Sequence, residues 1–276
     1  MICGTTSLIA HIGYPTFTFK SPQIYNPYFQ QAGIDAVVVP MGCQAPDYAA
    51  FLRAVFTLTN IAGALITMPH KVSTVALLDE ASVAVQIAGA CNAVRRSADG
   101  RLQGDLFDGE GFVRGVQRKG LDLSGQRALV VGSGGVGSAI AASLAAAGVA
   151  QLQLFDVRPA VAEQLAVRLR QHYPQLQVST GSKDPAEMDL VVNATPLGMQ
   201  ADDPLPIDVQ RLRPGCMVGE VVLRTEMTAL LLAAQQRGCL VQVGSDMLFE
   251  QIPAYLEFFG LPSTTPEQLR AVAQLG

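Results

Sequence analysis

The sequence feature that most constrains the fold is a glycine-rich turn between an apolar run and an alanine-rich segment. The apolar run, residues 128–131, has the character of a buried strand, and residues 136–147 have that of a helix. A second apolar run ends at Asp156, so the order is strand, tight turn, helix, strand and acid. The turn contains Gly132, Gly134, Gly135 and Gly137. This order predicts a βαβ unit whose turn and helix start, including Val136, hold the pyrophosphate of a dinucleotide.

Asp156 and Arg158, which follow this turn in the chain, affect which dinucleotide is bound. A carboxylate such as Asp156 accepts hydrogen bonds from a ribose 2′-hydroxyl and repels a 2′-phosphate, which favours NAD. Arg158 lies two residues further on and could instead bind the 2′-phosphate of NADP. We expect NAD, because the acid lies at the strand end, and NADP stays possible. The alternative interpretation is an ordinary βαβ unit with a glycine-rich turn.

The composition excludes several classes of protein. At 276 residues, with 49% apolar and 15% charged residues, the chain can form one large or two medium globular domains. The net charge of −4 gives no basic surface for nucleic acid, and no apolar run is long enough to cross a membrane. The N-terminus has no secretory pattern, so we expect a cytoplasmic protein. Five scattered cysteines are interpreted as reduced, buried thiols, and no metal site is expected.

Strand and helix patterns alternate along the chain. Strand character is found at residues 8–12, 36–39 and 62–66, and helical patterns at 22–31, 46–58, 72–78 and 81–87. The initial βαβαβ order predicts a parallel sheet, and the alternation returns after residue 127, so the fold class is α/β. Ser21 before Pro22 is an N-cap signal, and Gly148 stands where a helix C-cap is expected.

Five motifs occur in a fixed order outside the glycine-rich turn. They read TMPHK at residues 67–71, GACNAV at 89–94, DGEGF at 108–112, NATPLGM at 193–199 and MLFEQ at 247–251. In this order they resemble the T-x-P-H-K, G-A-x-N-x-V, D-G-x-G-F, N-A-T-P-x-G-M and M-L-x-x-Q motifs of the shikimate/quinate dehydrogenase family. The resemblance covers nearly the whole chain.

The resemblance implies two α/β domains with the active site in a cleft. Residues 1–107 with 244–276 would form the substrate-binding catalytic domain, and residues 108–243 a Rossmann, doubly wound cofactor domain. It also implies NAD(P)-dependent hydride transfer from a ring secondary alcohol of a hydroxylated cyclic acid or a related ring alcohol. We expect a monomer or a homodimer.

Particular residues match the family's functional positions. Lys71 and Asp108 are similar to its catalytic pair, in which a lysine removes the hydroxyl proton and a carboxylate orients it. Their alternative roles are a solvated lysine near a helix start and a helix N-cap. The positions that match substrate-binding residues are Ser21, Thr67, Asn92 and Gln251, and those beside the cofactor are Asn193 and Thr195. Local hydrogen bonding is the alternative for the hydroxyl-binding positions. His70 is interpreted as structural.

The chain also departs from the family pattern. The family loop S-x-S-P, whose two hydroxyls hold the substrate carboxylate, is Phe19-Lys20-Ser21-Pro22 here, so the first serine is lost. The family N-T-D-G is Leu106-Phe107-Asp108-Gly109, and a tyrosine expected after a later strand is Leu223. A missing partner costs roughly 1–3 kcal/mol, so shikimate is doubted as the preferred substrate. Lys20 is an alternative partner for a carboxylate.

Two other functions stay open at this point. The altered pocket is compatible with a catalytically weak or inactive cofactor-binding paralogue that has a regulatory role. A methylene-tetrahydrofolate-type dehydrogenase shares the dinucleotide turn, but the other motifs argue against it.

Overall fold

The structure is a computed structural model that describes residues 2–275. The chain divides into two compact units. The N-terminal unit contains the residues up to Phe107 together with those from Ile252 onward, and the central unit runs from Asp108 to Gln251. The second boundary lies within one long helix, Gly244–Phe258.

The N-terminal unit is built around a six-stranded sheet. Its strands are β1 (Ser7–Gly13), β2 (Ala36–Gly42), β3 (Ile61–Ile66), β4 (Glu80–Ala81), β5 (Ala93–Arg96) and β6 (Leu102–Asp105). Its helices are α1 (Pro22–Ala32), α2 (Tyr48–Val55), α3 (Lys71–Thr74), α4 (Val83–Ala88) and α10 (Pro266–Val272), with 3-10 turns at Thr16–Thr18 and Val75–Leu77. The strand order is β2-β1-β3-β5-β6-β4.

The predicted parallel βαβαβ arrangement is confirmed for β1, β2 and β3, but the sheet as a whole is mixed. Strand β5 runs antiparallel to β3 and to β6. The short turn between β5 and β6, where Gly100 has a φ of +90°, reverses the chain and forces these two strands to pair antiparallel.

Several predicted boundaries in this unit need correction. The helix predicted at residues 72–78 is a four-residue helix, α3, followed by a 3-10 turn, and the helix predicted from residue 81 starts at Val83 after the short strand β4. Ser82 caps α4, because its side chain accepts the Val85 N–H at 3.3 Å. Ser21 stands at the N-cap position of α1, but its side chain makes no cap hydrogen bond.

The central unit contains a second six-stranded sheet, which is parallel throughout. Its strands are β7 (Arg127–Val131), β8 (Gln151–Phe155), β9 (Gln177–Thr180), β10 (Leu190–Asn193), β11 (Met217–Glu220) and β12 (Leu240–Gln242). Its helices are α5 (Asp108–Arg118), α6 (Gly135–Ala146), α7 (Pro159–His172), α8 (Ala229–Gln236) and α9 (Gly244–Phe258), of which α9 continues into the N-terminal unit. A short 3-10 turn lies at Val209–Arg211.

The order of this sheet is β12-β11-β10-β7-β8-β9, which is the doubly wound Rossmann order. The strand order reverses between β7 and β10, and ligands of such sheets bind outside the carboxyl ends of the strands at that point. Strands β7 and β10 are almost wholly buried, as expected for a sheet covered by helices on both faces. The C-cap of helix α6 is Ala147, one residue before the expected Gly148. Gly148 follows with a φ of +85°.

Two general features complete the fold. No helix among residues 2–275 is long and apolar enough to cross a membrane. The five cysteines are free, and four are buried as predicted. Cys3 is exposed, which corrects that prediction, because it lies in the turn before β1 rather than inside the core.

Candidate active site

The glycine-rich turn after β7 is shaped by backbone packing. Gly132 has a φ of +98°, a region that L-residues rarely adopt. A Cβ on Gly132 would lie 2.7 Å from the Ala194 carbonyl oxygen, and one on Gly137 would lie 1.9 Å from the Gly132 oxygen. Both positions therefore require glycine, because the turn packs directly on α6 and on the segment after β10.

The next part of the turn fits the phosphates of a dinucleotide. A Cβ on Gly134 or Gly135 would have no heavy atom within 4 Å, so the space in front of both residues is open. Gly134 is the N-cap of α6 and has no side chain, which leaves the N–H groups of the first turn, including that of Val136, for a ligand. The Ser133 hydroxyl is buried without a hydrogen-bond partner in residues 2–275. The donors and the open space fit a pyrophosphate.

Asp156 connects this turn to the end of β8. Its carboxylate accepts the Ser133 N–H and the Arg158 N–H, each at 2.9 Å. Burial raises the pKa of Asp156, but these hydrogen bonds outweigh it and the pKa lies below its ordinary value. The carboxylate is therefore ionised at neutral pH. The exposed Arg158 side chain lies 3.7 Å from it, so the arginine that could bind a 2′-phosphate is held beside a negative charge.

Asn193 and Thr195 organise the loop after β10. The Asn193 side-chain oxygen accepts the Thr195 N–H at 3.1 Å and its hydroxyl at 2.6 Å, and its Nδ2 donates to the Leu197 carbonyl at 2.9 Å. These side chains are therefore used inside the loop. They fix the loop that packs on Gly132.

Glu220 is a candidate functional residue that the motifs did not reveal. It ends β11 opposite Asn193 and is completely buried. One carboxyl oxygen accepts the Thr228 hydroxyl at 3.0 Å, and the other has no partner in the part of the chain that the structure describes. Burial raises the pKa of Glu220 to about 7, against the hydrogen bond from Thr228. The signal in the sequence was an acid closing an apolar run beside the NATPLGM motif.

In the N-terminal unit, Thr67 and Lys71 follow β3. The Thr67 N–H donates to Ile12 at 2.9 Å, and the His70 N–H donates back to Thr67 at 2.9 Å, which forms a tight turn before α3 starts at Lys71. His70 is buried, its Nε2 lies 2.8 Å from the Cys43 carbonyl, and its ring stacks on Tyr48. These contacts agree with a structural role for His70.

Asn92 is held next to the start of α3. The Cys91 N–H donates to the Lys71 carbonyl at 2.8 Å, so the backbone around Asn92 lies against the backbone of Lys71. The Asn92 Oδ1 accepts the Phe107 N–H at 2.9 Å, whereas Nδ2 is buried without a partner in residues 2–275. An unused buried donor costs about 1–3 kcal/mol, which a bound hydroxyl would remove.

The loop before α1 contains Ser21 and Phe19. The Ser21 backbone carbonyl accepts the N–H groups of Ile24 and Tyr25, but its hydroxyl caps nothing and is half-buried. It is therefore available to a ligand. The Phe19 ring lies on the His11 ring of β1, with centroids 4.0 Å apart.

The other departures from the family pattern lie in different surroundings. Leu106 and Phe107 are buried in the N-terminal unit, where the Phe107 ring packs on Tyr255 and Phe258. Their apolar side chains are thus explained by core packing. Leu223, in the central unit, is 59% exposed.

The remaining candidates belong to the central unit. Asp108 is buried at the first position of α5, and Gln251 lies in α9. A Cβ on Gly111 would lie 2.7 Å from the Gln251 Cβ, so α5 and α9 approach closely there. The Gln251 side-chain oxygen is buried without a partner among residues 2–275. Lys71 and Asp108 belong to different units. The described residues contain no cluster of potential metal ligands.

Known proteins are similar to this chain in sequence. The sequence model of the shikimate dehydrogenase substrate binding domain matches residues 12–94. The NADP(+) shikimate dehydrogenase of Rubrobacter xylanophilus is 38% identical over 254 residues, which cover 91% of this chain and 89% of that protein.

Solved structures are similar over almost the full length. Shikimate 5-dehydrogenase from Listeria monocytogenes, in complex with shikimate and NAD, is 26% identical with a TM-score of 0.91 and covers 98% of this chain and 97% of its own. Quinate dehydrogenase from Corynebacterium glutamicum, in complex with NAD, is 30% identical with a TM-score of 0.85 and covers 98% and 99%.

Proposed function

The chain belongs to the shikimate dehydrogenase family, and on that premise we propose how it works as an NAD(P)-dependent oxidoreductase. The reaction is reversible hydride transfer between a ring secondary alcohol of a hydroxylated cyclic acid and a nicotinamide cofactor. The N-terminal unit binds the substrate and the central unit binds the cofactor. The match of the substrate-binding sequence model to residues 12–94 supports the first assignment, and the Rossmann strand order supports the second.

Lys71 is the base in this proposal. When bound, a nicotinamide dinucleotide supplies the hydride acceptor. Lys71 Nζ takes the proton of the reacting hydroxyl, for which it must be the neutral amine, and Asp108 orients it.

The proposed substrate contacts use groups that have spare hydrogen-bonding capacity. Asn92 Nδ2 donates to a ring hydroxyl, and the Gln251 side-chain oxygen accepts from another. Thr67 binds a hydroxyl beside the base, and the Ser21 hydroxyl binds the carboxyl end of the substrate. The observation that carries the proposal is the buried, unused Asn92 donor on the segment bonded to the Lys71 backbone.

We propose that NAD is preferred over NADP. The Asp156 carboxylate is ionised, lies at the end of β8 and faces the turn that fits the pyrophosphate. It can accept hydrogen bonds from a ribose 2′-hydroxyl and repels a 2′-phosphate. The named relative from Rubrobacter uses NADP(+), so this chain would differ from it in cofactor.

The test is oxidation of shikimate, quinate and related ring alcohols by the purified protein, followed by absorbance of the reduced cofactor. We expect turnover by the wild type and a loss of at least about 100-fold in Lys71→Met, the range of general-base catalysis. Lys119→Met is the matched control. Lys119 follows α5 in the central unit, where it pairs with Asp246 at 3.1 Å, and it has no role in the proposed reaction. Equal activity of wild type and Lys71→Met would refute the role of Lys71. Cofactor binding without any turnover would favour a regulatory paralogue instead.

Two further points belong to the same proposal. Free cysteines, including Cys216 and Cys239 with sulfurs 3.3 Å apart, are compatible with the reducing cytoplasm, where we place the protein. Sedimentation of the purified protein decides between the monomer and the homodimer.

A further inference from the structure

An aromatic pair occupies the position where the family carries the first serine of S-x-S-P. The Phe19 ring lies on the His11 imidazole at 4.0 Å between centroids, with 25° between the planes. His11 is a β1 residue and is buried, and its Nδ1 has no hydrogen-bond partner in residues 2–275. The stack therefore holds Phe19 on the sheet rather than in solvent.

The pair lies among the candidate substrate residues of the N-terminal unit. A Cβ on Gly13 would lie 2.4 Å from the Thr67 methyl and 3.0 Å from the Phe19 Cζ, so both side chains close over the same glycine. His11 is near enough to Lys71 for the lysine to contribute, after burial, to lowering the His11 pKa to about 4. At neutral pH the pair is therefore uncharged, and it does not replace the serine hydroxyl that would bind the substrate carboxylate.

The Ser21 hydroxyl is a polar group that the loop retains next to this pair in sequence. The Ser21 hydroxyl is half-buried and caps nothing. A hydroxyl can donate either to a carboxylate oxygen or to the carbonyl oxygen of an ester. A second hydroxyl in the S-x-S loop would favour the charged form, because hydrogen bonds to ionised groups are the stronger ones.

We propose that the Phe19–His11 pair determines substrate selectivity by relaxing the requirement for a free carboxylate. The protein then accepts neutral derivatives of hydroxylated cyclic acids, such as their esters, about as well as the acids. This inference rests on the proposed dehydrogenase function and deepens it by naming the substrate class.

The test compares kcat/KM for quinate and shikimate with kcat/KM for their methyl esters. For the wild type we expect acid and ester within about 3-fold of each other, since the stronger bond of the single Ser21 hydroxyl to a carboxylate is offset by the cost of placing that charge beside the uncharged Phe19–His11 pair. Phe19→Ser restores the hydroxyl and is expected to raise the acid-to-ester ratio by about 10-fold or more. Phe17→Ser is the matched control from the same loop, because Phe17 is 87% exposed, and its ratio should equal that of the wild type.

The outcomes separate this inference from the proposed function. A wild-type preference for the acid above about 50-fold, or an unchanged ratio in a folded Phe19→Ser, would overturn the inference and leave the dehydrogenase function standing. If Lys20→Met abolishes an acid preference, Lys20 is the carboxylate partner and the inference is also wrong. The acid-to-ester ratio of the wild type tests the inference even if the Phe19→Ser variant does not fold. If neither acid nor ester is oxidised, the proposed function fails, and the inference fails with it.

Discussion

Replacement of Asp156 by asparagine tests the basis of cofactor choice. The substitution keeps the shape of the side chain and can keep one of the two backbone hydrogen bonds of 2.9 Å, but it removes the charge. Two unit charges about 4 Å apart repel by roughly 4 kcal/mol at an effective dielectric of about 20. Arg158, 3.7 Å away, already offsets part of this repulsion in the wild type. We therefore take about half of this repulsion, roughly 2 kcal/mol, which corresponds to about a 30-fold change in the ratio of kcat/KM values for NADP and NAD.

The assay is the ratio of kcat/KM with NADP to kcat/KM with NAD on one substrate. Asp156→Asn should raise this ratio about 30-fold, because the 2′-phosphate loses a repulsive neighbour and the Arg158 side chain loses its partner. Asp122→Asn is the control: Asp122 is an exposed loop residue that accepts the Ser124 N–H at 3.0 Å, as asparagine can. A wild type that prefers NADP, or a ratio that does not change in Asp156→Asn, would refute the reasoning.

Three further predictions concern Glu220, the glycine turn and Asn92. A carboxyl group whose pKa is raised from 4.5 to about 7 contributes stability below pH 4.5 that is lost as pH rises to 7. As pH rises through this window, the free energy of unfolding of Glu220→Gln should therefore increase by on the order of 3 kcal/mol relative to that of the wild type. A difference between the two proteins that stays constant with pH in unfolding titrations would contradict the burial argument. Gly137→Ala should lower stability by about 1–3 kcal/mol, because its Cβ meets the Gly132 oxygen at 1.9 Å. Gly135→Ala should be as stable as the wild type but should bind the cofactor more weakly in fluorescence titrations. Equal melting temperatures for Gly137→Ala and Gly135→Ala would contradict this. Asn92→Asp keeps the acceptor for Phe107 but loses the unused donor, so kcat/KM should fall about 10- to 100-fold, and unchanged kinetics would remove Asn92 from the site.

Local patterns predicted much of the fold. Helix α1 begins at Pro22 as predicted, because proline at the first helical position marks the start. The turn at Gly100 accounts for the hairpin of β5 and β6. The mixed order of the first sheet could not be predicted, since the pairing of β5 with β3 joins strands distant in sequence and depends on tertiary contacts.

The candidate site was predicted where its residues lie in motifs. Motifs and the glycine spacing identified Lys71, Asn92 and Asp156, whose roles stay predictions. Glu220 and His11 were missed, because each is an isolated polar residue within an apolar strand and becomes notable only through burial and neighbours. The change to Phe107 suggested an altered pocket, but its ring packs in the core. A substitution alone does not say which way a side chain points.

The most direct test of the central claim follows the hydrogen itself. Quinate or shikimate carrying deuterium at the ring carbinol carbons is incubated with the protein and NAD, and the reduced cofactor is analysed by mass spectrometry. Hydride transfer predicts that the deuterium appears in the reduced cofactor and that Lys71→Met slows its appearance. Reduced cofactor without deuterium, or a ring alcohol left unchanged beside bound NAD, would contradict the assignment of this chain as a ring-alcohol dehydrogenase.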